Sequence, residues 1–413
     1  MRAFIILFLS TITLFSCKED KRKTVSMKED VTTLASDAFN GRRTGTEGER
    51  QAAKYIEERF KDIGLEPKGY KGNYTQIFSF RGSKNPHEEA EFASKSDSTT
   101  TGANVVGYID NKAETTVIIG AHYDHLGMGG EGSLHREGKA IHNGADDNAS
   151  GVAVMLKLAD SLVASTSPFN NQNNYLFIAF SGEEEGLLGS NYFVKNPTID
   201  TKKVSYMINM DMVGRLNDEN TLAVHGVGTS PVFKQTLFAN NNSNLNIVEH
   251  ESGVGPSDHT SFYLADIPVL HFFTGQHEDY HKPGDDAEKL NYEGMQKISD
   301  YIFAIISDLN DNGLLAFKKT KNESEVVPDF KVTLGVVPDY LFDGEGMRID
   351  GISEDRPAQK AGLQKGDIVK KMGEHEVTDM MSYMKSLSKF EKGQTATVTV
   401  KREGKLIKTD VTF

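Results

Sequence analysis

Short apolar runs that stop abruptly at polar, charge-bearing residues recur along this chain. Thr116–Ala121 runs into His122-Tyr-Asp124-His125, and Asn174–Phe180 into Ser-Gly-Glu183-Glu184-Glu185-Gly186. Tyr206–Met210 runs into Asp211, and Pro268–Phe273 lies just ahead of Tyr280-His281. Runs of this length, continuous rather than alternating and rich in β-branched and aromatic residues, predict strands buried on both faces. Between them lie helical patterns. Thr46–Ile63 carries Ala52, Ala53, Ile56, Phe60 and Ile63 at helical spacing, with Gly64 as its stop. Further helices are expected over Gly186–Val194, from Gly151 to Leu162 and over 290–309, with another strand at Asn104–Ile109. Strands alternating with helices predict an α/β fold, a mixed, largely parallel sheet covered by helices on both faces. Open sheets of that kind place ligands beyond the carboxyl ends of their strands, which is where Glu183 and Glu184 are expected.

The polar residues at these ends form a consistent chemical set. Asp147 in Gly144-Ala-Asp-Asp-Asn-Ala-Ser-Gly151 opens a helix, so the chain offers imidazoles and carboxylates from five separate segments. Mixed imidazole and carboxylate donors suit zinc, and a carboxylate shared between ions suits a two-metal site with ions about 3.5–4 Å apart. In an adjacent glutamate pair, one carboxylate can hold a metal while its neighbour moves a proton. There is no Gly-x-Ser-x-Gly elbow, and the only cysteine is Cys17, so no serine or cysteine nucleophile is evident. The glycine-rich Gly127–Gly132 lacks the Gly-Lys-Ser/Thr ending of a phosphate loop and is expected to form a rim between the first two motifs.

The five motifs, in this order, resemble the co-catalytic dizinc exopeptidase family of bacterial leucine-type aminopeptidases and glutamate carboxypeptidases, over roughly residues 30–310. The resemblance implies the zinc exopeptidase fold and two zinc ions per chain. His122, Asp147 and Asp211 would hold one ion, and Glu184 and His281 the other, with Asp147 bridging. Glu183 would be the general base and Asp124 the carboxylate that orients His122. Asp147 rather than Asp146 precedes Asn-x-Ser-Gly, and the glutamate pair is counted back from Gly-Leu-Leu-Gly-Ser, which leaves Glu185 as a solvated carboxylate. Asp258, His259 and Tyr280 are expected at the substrate cleft, with weaker claims for His125, His142, His271 and His277. The implied activity is exopeptidase action on peptides, with aminopeptidase cleavage the leading expectation. One alternative is a glutaminyl cyclase-like acyltransferase, a branch with tryptophans around its pocket, whereas this chain has Tyr280 before the last histidine and no Trp. The other is an inactive peptide-binding protein, which would be expected to have lost ligands.

Composition and the two ends complete the expected organisation. A chain of 413 residues exceeds the usual single-core limit of about 250–300 residues. A net charge of −13 argues against a nucleic-acid partner. Residues 1–16, with Arg2 followed by the apolar Ala3–Phe15, resemble a lipoprotein signal peptide too short to span a bilayer. Cys17 would carry the lipid, and 17–29 would form a charged tether. That implies an exported lipoprotein at the outer membrane of a Gram-negative-type envelope, held by its lipid anchor alone, on the periplasmic face or the cell surface. Residues 30–310 form the expected peptidase domain and 311–329 a polar linker. Residues 330–413 resemble a PDZ domain of the bacterial protease type, on Ala358-Gln-Lys-Ala-Gly-Leu-Gln-Lys-Gly-Asp367, Gly373–Val377 and the closing strands from Thr395. Thr333–Val337 would be its carboxylate loop and Asp379–Phe390 its groove helix, receiving a peptide or a protein C-terminus.

Overall fold

A computed structural model describes residues 25–320 and 332–413, except 82–90, 95–98, 131, 136, 166–170, 340–341, 343 and 353–355. The signal peptide, Cys17 and residues 321–329 of the polar linker therefore lie outside the described residues. Among those described, no helix is long and apolar enough to cross a membrane.

The larger unit is built on a ten-stranded sheet. Its strands are β1 (Glu66–Pro67), β2 (Thr75–Arg81), β3 (Glu91–Phe92), β4 (Thr100–Ile109), β5 (Thr115–His122), β6 (Asn173–Phe180), β7 (Val204–Met210), β8 (Thr221–His225), β9 (Asn246–His250) and β10 (Val269–Phe273). They lie in the order β3-β2-β4-β6-β5-β7-β10-β8-β9, with β1 added beside β4. The centre, β6-β5-β7-β10, is parallel, and antiparallel pairs flank it. All residues of β5, β6, β7 and β10 are buried, which explains their unbroken apolar runs.

Alternation along these strands separates two cores. Val117, Ile119, Phe177, Tyr206, Ile208, Leu270 and Phe272 face helices α1 (Met27–Leu34), α2 (Glu47–Ile63), α3 (Gly151–Ala164), α5 (Phe233–Asn240) and α7 (Tyr292–Asp308). Ile118, Leu176, Ile178, Phe180, Met207 and Val269 face α4 (Leu188–Lys195) and α6 (His259–Tyr263). Helix α2 begins and ends where its sequence indicates. The Thr46 hydroxyl accepts from the Glu49 amide, and Gly64, at φ 97°, closes the helix in the left-handed conformation. Helix α4 starts at Leu188, later than Gly186, because Leu187 sits at φ 57° and the glutamate triplet occupies a turn. Residues of the expected tether and linker also pack on this unit: Val25 and Met27 enter its core, and Thr320 bonds to the Tyr263 hydroxyl.

The smaller unit is a six-stranded antiparallel sheet. It contains β11 (Val336–Pro338), β12 (Met347–Ile352), β13 (Ile368–Met372), β14 (His375–Glu376), β15 (Thr395–Arg402) and β16 (Lys405–Thr412), with helices α8 (Pro357–Lys360) and α9 (Met380–Leu387). Asp379 and Ser382 cap α9 reciprocally. Leu334, Ile349, Leu363, Val369, Tyr383, Phe390, Val398 and Val400 contribute to a separate core.

Candidate metal centre

The central strands end at one edge of the sheet, and the loops leaving that edge bring the expected site residues together. His122 is the last residue of β5, Asp211 directly follows β7, and Glu183 and Glu184 lie in the turn after β6. Asp147 opens the approach to α3, and His281, at φ 55°, lies in the loop beyond β10. His122 Nε2 lies 3.4 Å from Asp147 Oδ1 and 3.3 Å from Asp211 Oδ1. His281 Nε2 lies 3.1 Å from Asp147 Oδ2 and 3.3 Å from Glu184 Oε2. The two oxygens of Asp147 thus face different imidazoles.

The donor set fits a metal. His122, Asp147 and Asp211 each offer an atom within 4.8 Å of the others, as do His125, Asp147 and Glu184. His122 Nδ1 is 3.2 Å from the Asp124 carbonyl and His281 Nδ1 is 2.9 Å from the Gly132 carbonyl. A carbonyl can only accept, so Nδ1 carries the proton and Nε2 of a neutral ring presents its lone pair inward, as in histidines that ligate metals. The glycine-rich segment thereby orients His281 through the Gly132 carbonyl.

Electrostatics describe a site rich in negative charge. Burial alone would lower His122, yet Asp211 and Glu183 carry it well above its ordinary value. Burial is likewise outweighed at His281, which Glu184 and Asp147 raise. Burial opposes ionisation of Glu184, but His281 draws it down to about 2. Glu183 behaves oppositely: burial, with Asp211, Glu184 and Asp258 nearby, pushes its carboxyl well up. Adjacent glutamates with opposed proton affinities match the expected division between holding a metal and moving a proton.

The Asp124 carboxyl reaches beyond His122. Its Oδ1 is 3.7 Å from His122 Nδ1, where the backbone carbonyl is closer; that oxygen accepts from the Glu183 amide at 3.1 Å, and Oδ2 from the Thr44 hydroxyl at 3.0 Å. It therefore fixes the turn that presents Glu183. Glu185 is paired rather than fully solvated: Arg43 contacts its Oε1 through Nε and Nη2, at 3.1 and 2.8 Å.

The weaker candidates divide. His125 Nδ1 is 2.7 Å from Glu184 Oε1, so it belongs to the cluster. Tyr280 stacks on His281 with ring centroids 3.8 Å apart. Asp258 is fully buried, and burial raises it to about 7. His142 bonds to Ser133 and Ala140, and His277 lies 3.2 Å from Asp146 Oδ2. His259 stacks on His271 at 4.4 Å, in a row that continues to His225 and His250.

Sequence reading missed Arg42 and Asp285. Arg42 is 1% exposed and donates to the carbonyls of Leu34, Tyr123, Asn143 and Gly144. Burial lowers its guanidinium to about 10, which leaves it charged at neutral pH. Asp285 is fully buried and accepts from the amides of Asp146 and Asp147. Asp285 stands in Tyr-His-Lys-Pro-Gly-Asp-Asp, just after His281, where only a link to a distant backbone would have distinguished it; Arg42, in Gly-Arg-Arg-Thr-Gly, carries no signal of its own.

The chain has relatives among known proteins. The chain is 25% identical over 294 residues to a probable leucine aminopeptidase of Arthroderma otae, covering 69% of this chain and 72% of that one. It is 32% identical over 175 residues to the alkaline phosphatase isozyme conversion protein of Escherichia coli K12, covering 42% of this chain and about half, 47%, of the relative. The structure of BSAP, a zinc aminopeptidase from Bacillus subtilis, superposes with a TM-score of 0.54 at 18% identity, covering 71% of this chain and 96% of that one, a likeness of fold. Residues 104–306 match the Peptidase family M28 model and residues 315–413 the PDZ domain model. Residues 104–306 therefore form a Peptidase family M28 domain, and a PDZ domain follows it.

Proposed function

We propose that the protein is a zinc-dependent aminopeptidase that removes N-terminal residues from peptides. The observation that carries this reading is Asp147, whose two oxygens face two separate imidazole and carboxylate sets. His122, Asp147 and Asp211 would hold one zinc ion, and Asp147, Glu184 and His281 the other. Zinc held there supplies a Lewis acid for the peptide carbonyl and lowers the pKa of water, from 15.7 to about 7 for a single ion. Glu183 takes the proton of the attacking water and returns it to the departing amine as the peptide bond breaks. Its raised carboxyl suits a group that must hold that proton between the two events. Asp124 positions Glu183 through the backbone amide.

The PDZ domain is proposed to bind extended peptides or protein C-termini by strand addition. The pattern around Cys17 supports a lipid anchor at the outer membrane.

The test is to load the purified protein with zinc and follow a peptide mixture by mass spectrometry, with N-terminally blocked and Gln-led peptides included. Stepwise loss of amino-terminal residues is expected, abolished by chelator or by blocking. Loss of ammonia from Gln-led peptides alone would instead identify a cyclase, and no change at all a binding protein.

A further inference from the structure

The loop that presents Asp147 is gripped on its backbone from opposite sides by two buried charges. On its carbonyl side, Arg42 donates to Asn143 O at 2.6 Å and to Gly144 O at 2.9 Å. On its amide side, Asp285 Oδ2 accepts from the Asp146 and Asp147 amides at 2.9 and 3.0 Å, and the Asp285 carbonyl accepts from Ala145 at 3.0 Å. A cation on the carbonyls and an anion on the amides both follow the polarity of the peptide groups, and charge-assisted bonds are roughly twice as strong as neutral ones. Gly144 makes the path possible: it sits at φ 57°, and a Cβ there would lie 2.1 Å from the Asp147 carbonyl.

The grip extends to the other metal-facing loops. Arg42 also donates to the carbonyl of Tyr123, next to His122, at 2.8 Å. Asp285 lies in the loop that carries His281, and its nearest cationic neighbours, Arg215 and His277, both stand 3.9 Å away. Its short contacts are therefore amides, and its carboxyl is directed at the loop rather than at an ion partner.

We propose that Arg42 and Asp285 are positioning residues that hold the Asp147 loop in its metal-binding shape by clamping its backbone between opposite charges. The proposal rests on the assignment of Asp147 as the shared ligand. Changing groups that orient metal ligands typically costs roughly 10–100-fold in metal affinity, and the clamp predicts a loss in that range.

The test uses the full chain, stripped of metal, with zinc affinity measured by competition against a chromophoric chelator and site geometry by the visible spectrum of the cobalt(II) form. Asp285→Ala is expected to weaken zinc binding roughly 10–100-fold and alter the cobalt spectrum. Asp285→Asn should recover only part of the affinity, because its amide oxygen can accept from the same two backbone groups but without the charge. Thermal melting of the metal-free variants reports folding separately. The proposal is overturned if Asp285→Ala stays within twofold of wild type with an unchanged cobalt spectrum. Should that variant not fold, Arg42→Lys decides: its ammonium cannot reach all the carbonyls, so an affinity within twofold of wild type overturns the clamp and a loss of tenfold or more upholds it. Asp147→Asn is the control for the underlying reading. If it bound zinc as tightly as wild type, the shared-ligand assignment would fall and the clamp with it, an outcome distinct from loss of the clamp alone.

Discussion

Asp367 in the PDZ domain and Asp147 in the peptidase domain are both buried aspartates in loops, but their surroundings differ in kind. Arg402 meets Asp367 through Nε and Nη2, at 2.6 and 2.7 Å to its separate oxygens, and the Gln364 amide completes the set. That carboxylate is neutralised and hydrogen-bonded. Asp147 stands between Asp211 and Glu184 and is faced by imidazoles. The nearby guanidinium of Arg42 directs its hydrogen bonds to carbonyls. A buried carboxylate with a matched guanidinium is a structural element; buried carboxylates gathered beyond the reach of matched cations favour cations from outside. The same contrast separates the Asp of the Gly-Leu-x-x-Gly-Asp turn, which serves the fold, from the aspartates at the strand ends.

The strongest way to break this contrast is to remove the shared carboxylate. Asp147→Asn should lose the proposed pair of zinc ions and essentially all peptidase activity, read by metal analysis and peptide turnover. Retained zinc at wild-type stoichiometry would show that Asp147 is not the bridge. Next in size is Glu183→Gln, which should keep zinc and lower kcat by roughly 10²–10⁴-fold, the range of general acid–base catalysis. Turnover within tenfold of wild type would take Glu183 out of the proton-transfer role.

His122, Glu183, Glu184 and Asp211 were legible because each lies at or just past the end of an apolar run, and the run itself is a physical consequence of a strand buried on both faces. The α2 helix was legible for a local reason too, since Thr46 caps it and Gly64 closes it. What stayed hidden acts over long separations. Arg42 meets Asn143 across 101 positions and Asp285 meets Asp147 across 138, both through backbone groups, which have the same chemistry at every residue. Glu185 read as solvated because its partner Arg43 lies 142 positions away. Asp124 sits two residues from His122, so sequence suggested that pair; the fold adds the amide of Glu183, 59 positions on. The histidine row is a matter of register, visible only once β10, β8 and β9 are aligned.

On the PDZ side, Arg402→Met should leave Asp367 buried without its cation. With Arg402 partly exposed, the expected cost is about 2–3 kcal/mol. Hydrogen exchange should rise within 332–413 and stay unchanged at the strand ends that carry His122 and Asp211, with kcat on short peptides unaltered. A fall in zinc content in this variant would show that Asp367 is not confined to a structural role.

The smallest expected effect of a single substitution concerns protons rather than metals. His271, His225 and His250 are direct cross-strand partners on β10, β8 and β9, and His259 stacks on His271 from α6. Burial, followed by the neighbouring imidazoles, holds His225, His259 and His271 well below the ordinary histidine range. An unfolded chain takes up those protons near its ordinary pKa of about 6.5, before the folded chain does. Stability from these rings is therefore present above about pH 6.5 and lost as pH falls below it, by up to about 1.4 kcal/mol per pH unit for each ring. The PDZ domain contains a single histidine, His375, and it is exposed, so acid should loosen the peptidase domain first. Urea unfolding of the zinc-loaded chain at pH 7.5, 6.5 and 5.5 measures the slope, and His225→Gln should flatten it by about one ring's share. If wild type and His225→Gln lose stability in parallel, the acid sensitivity belongs to the metal centre, and the row is only packing.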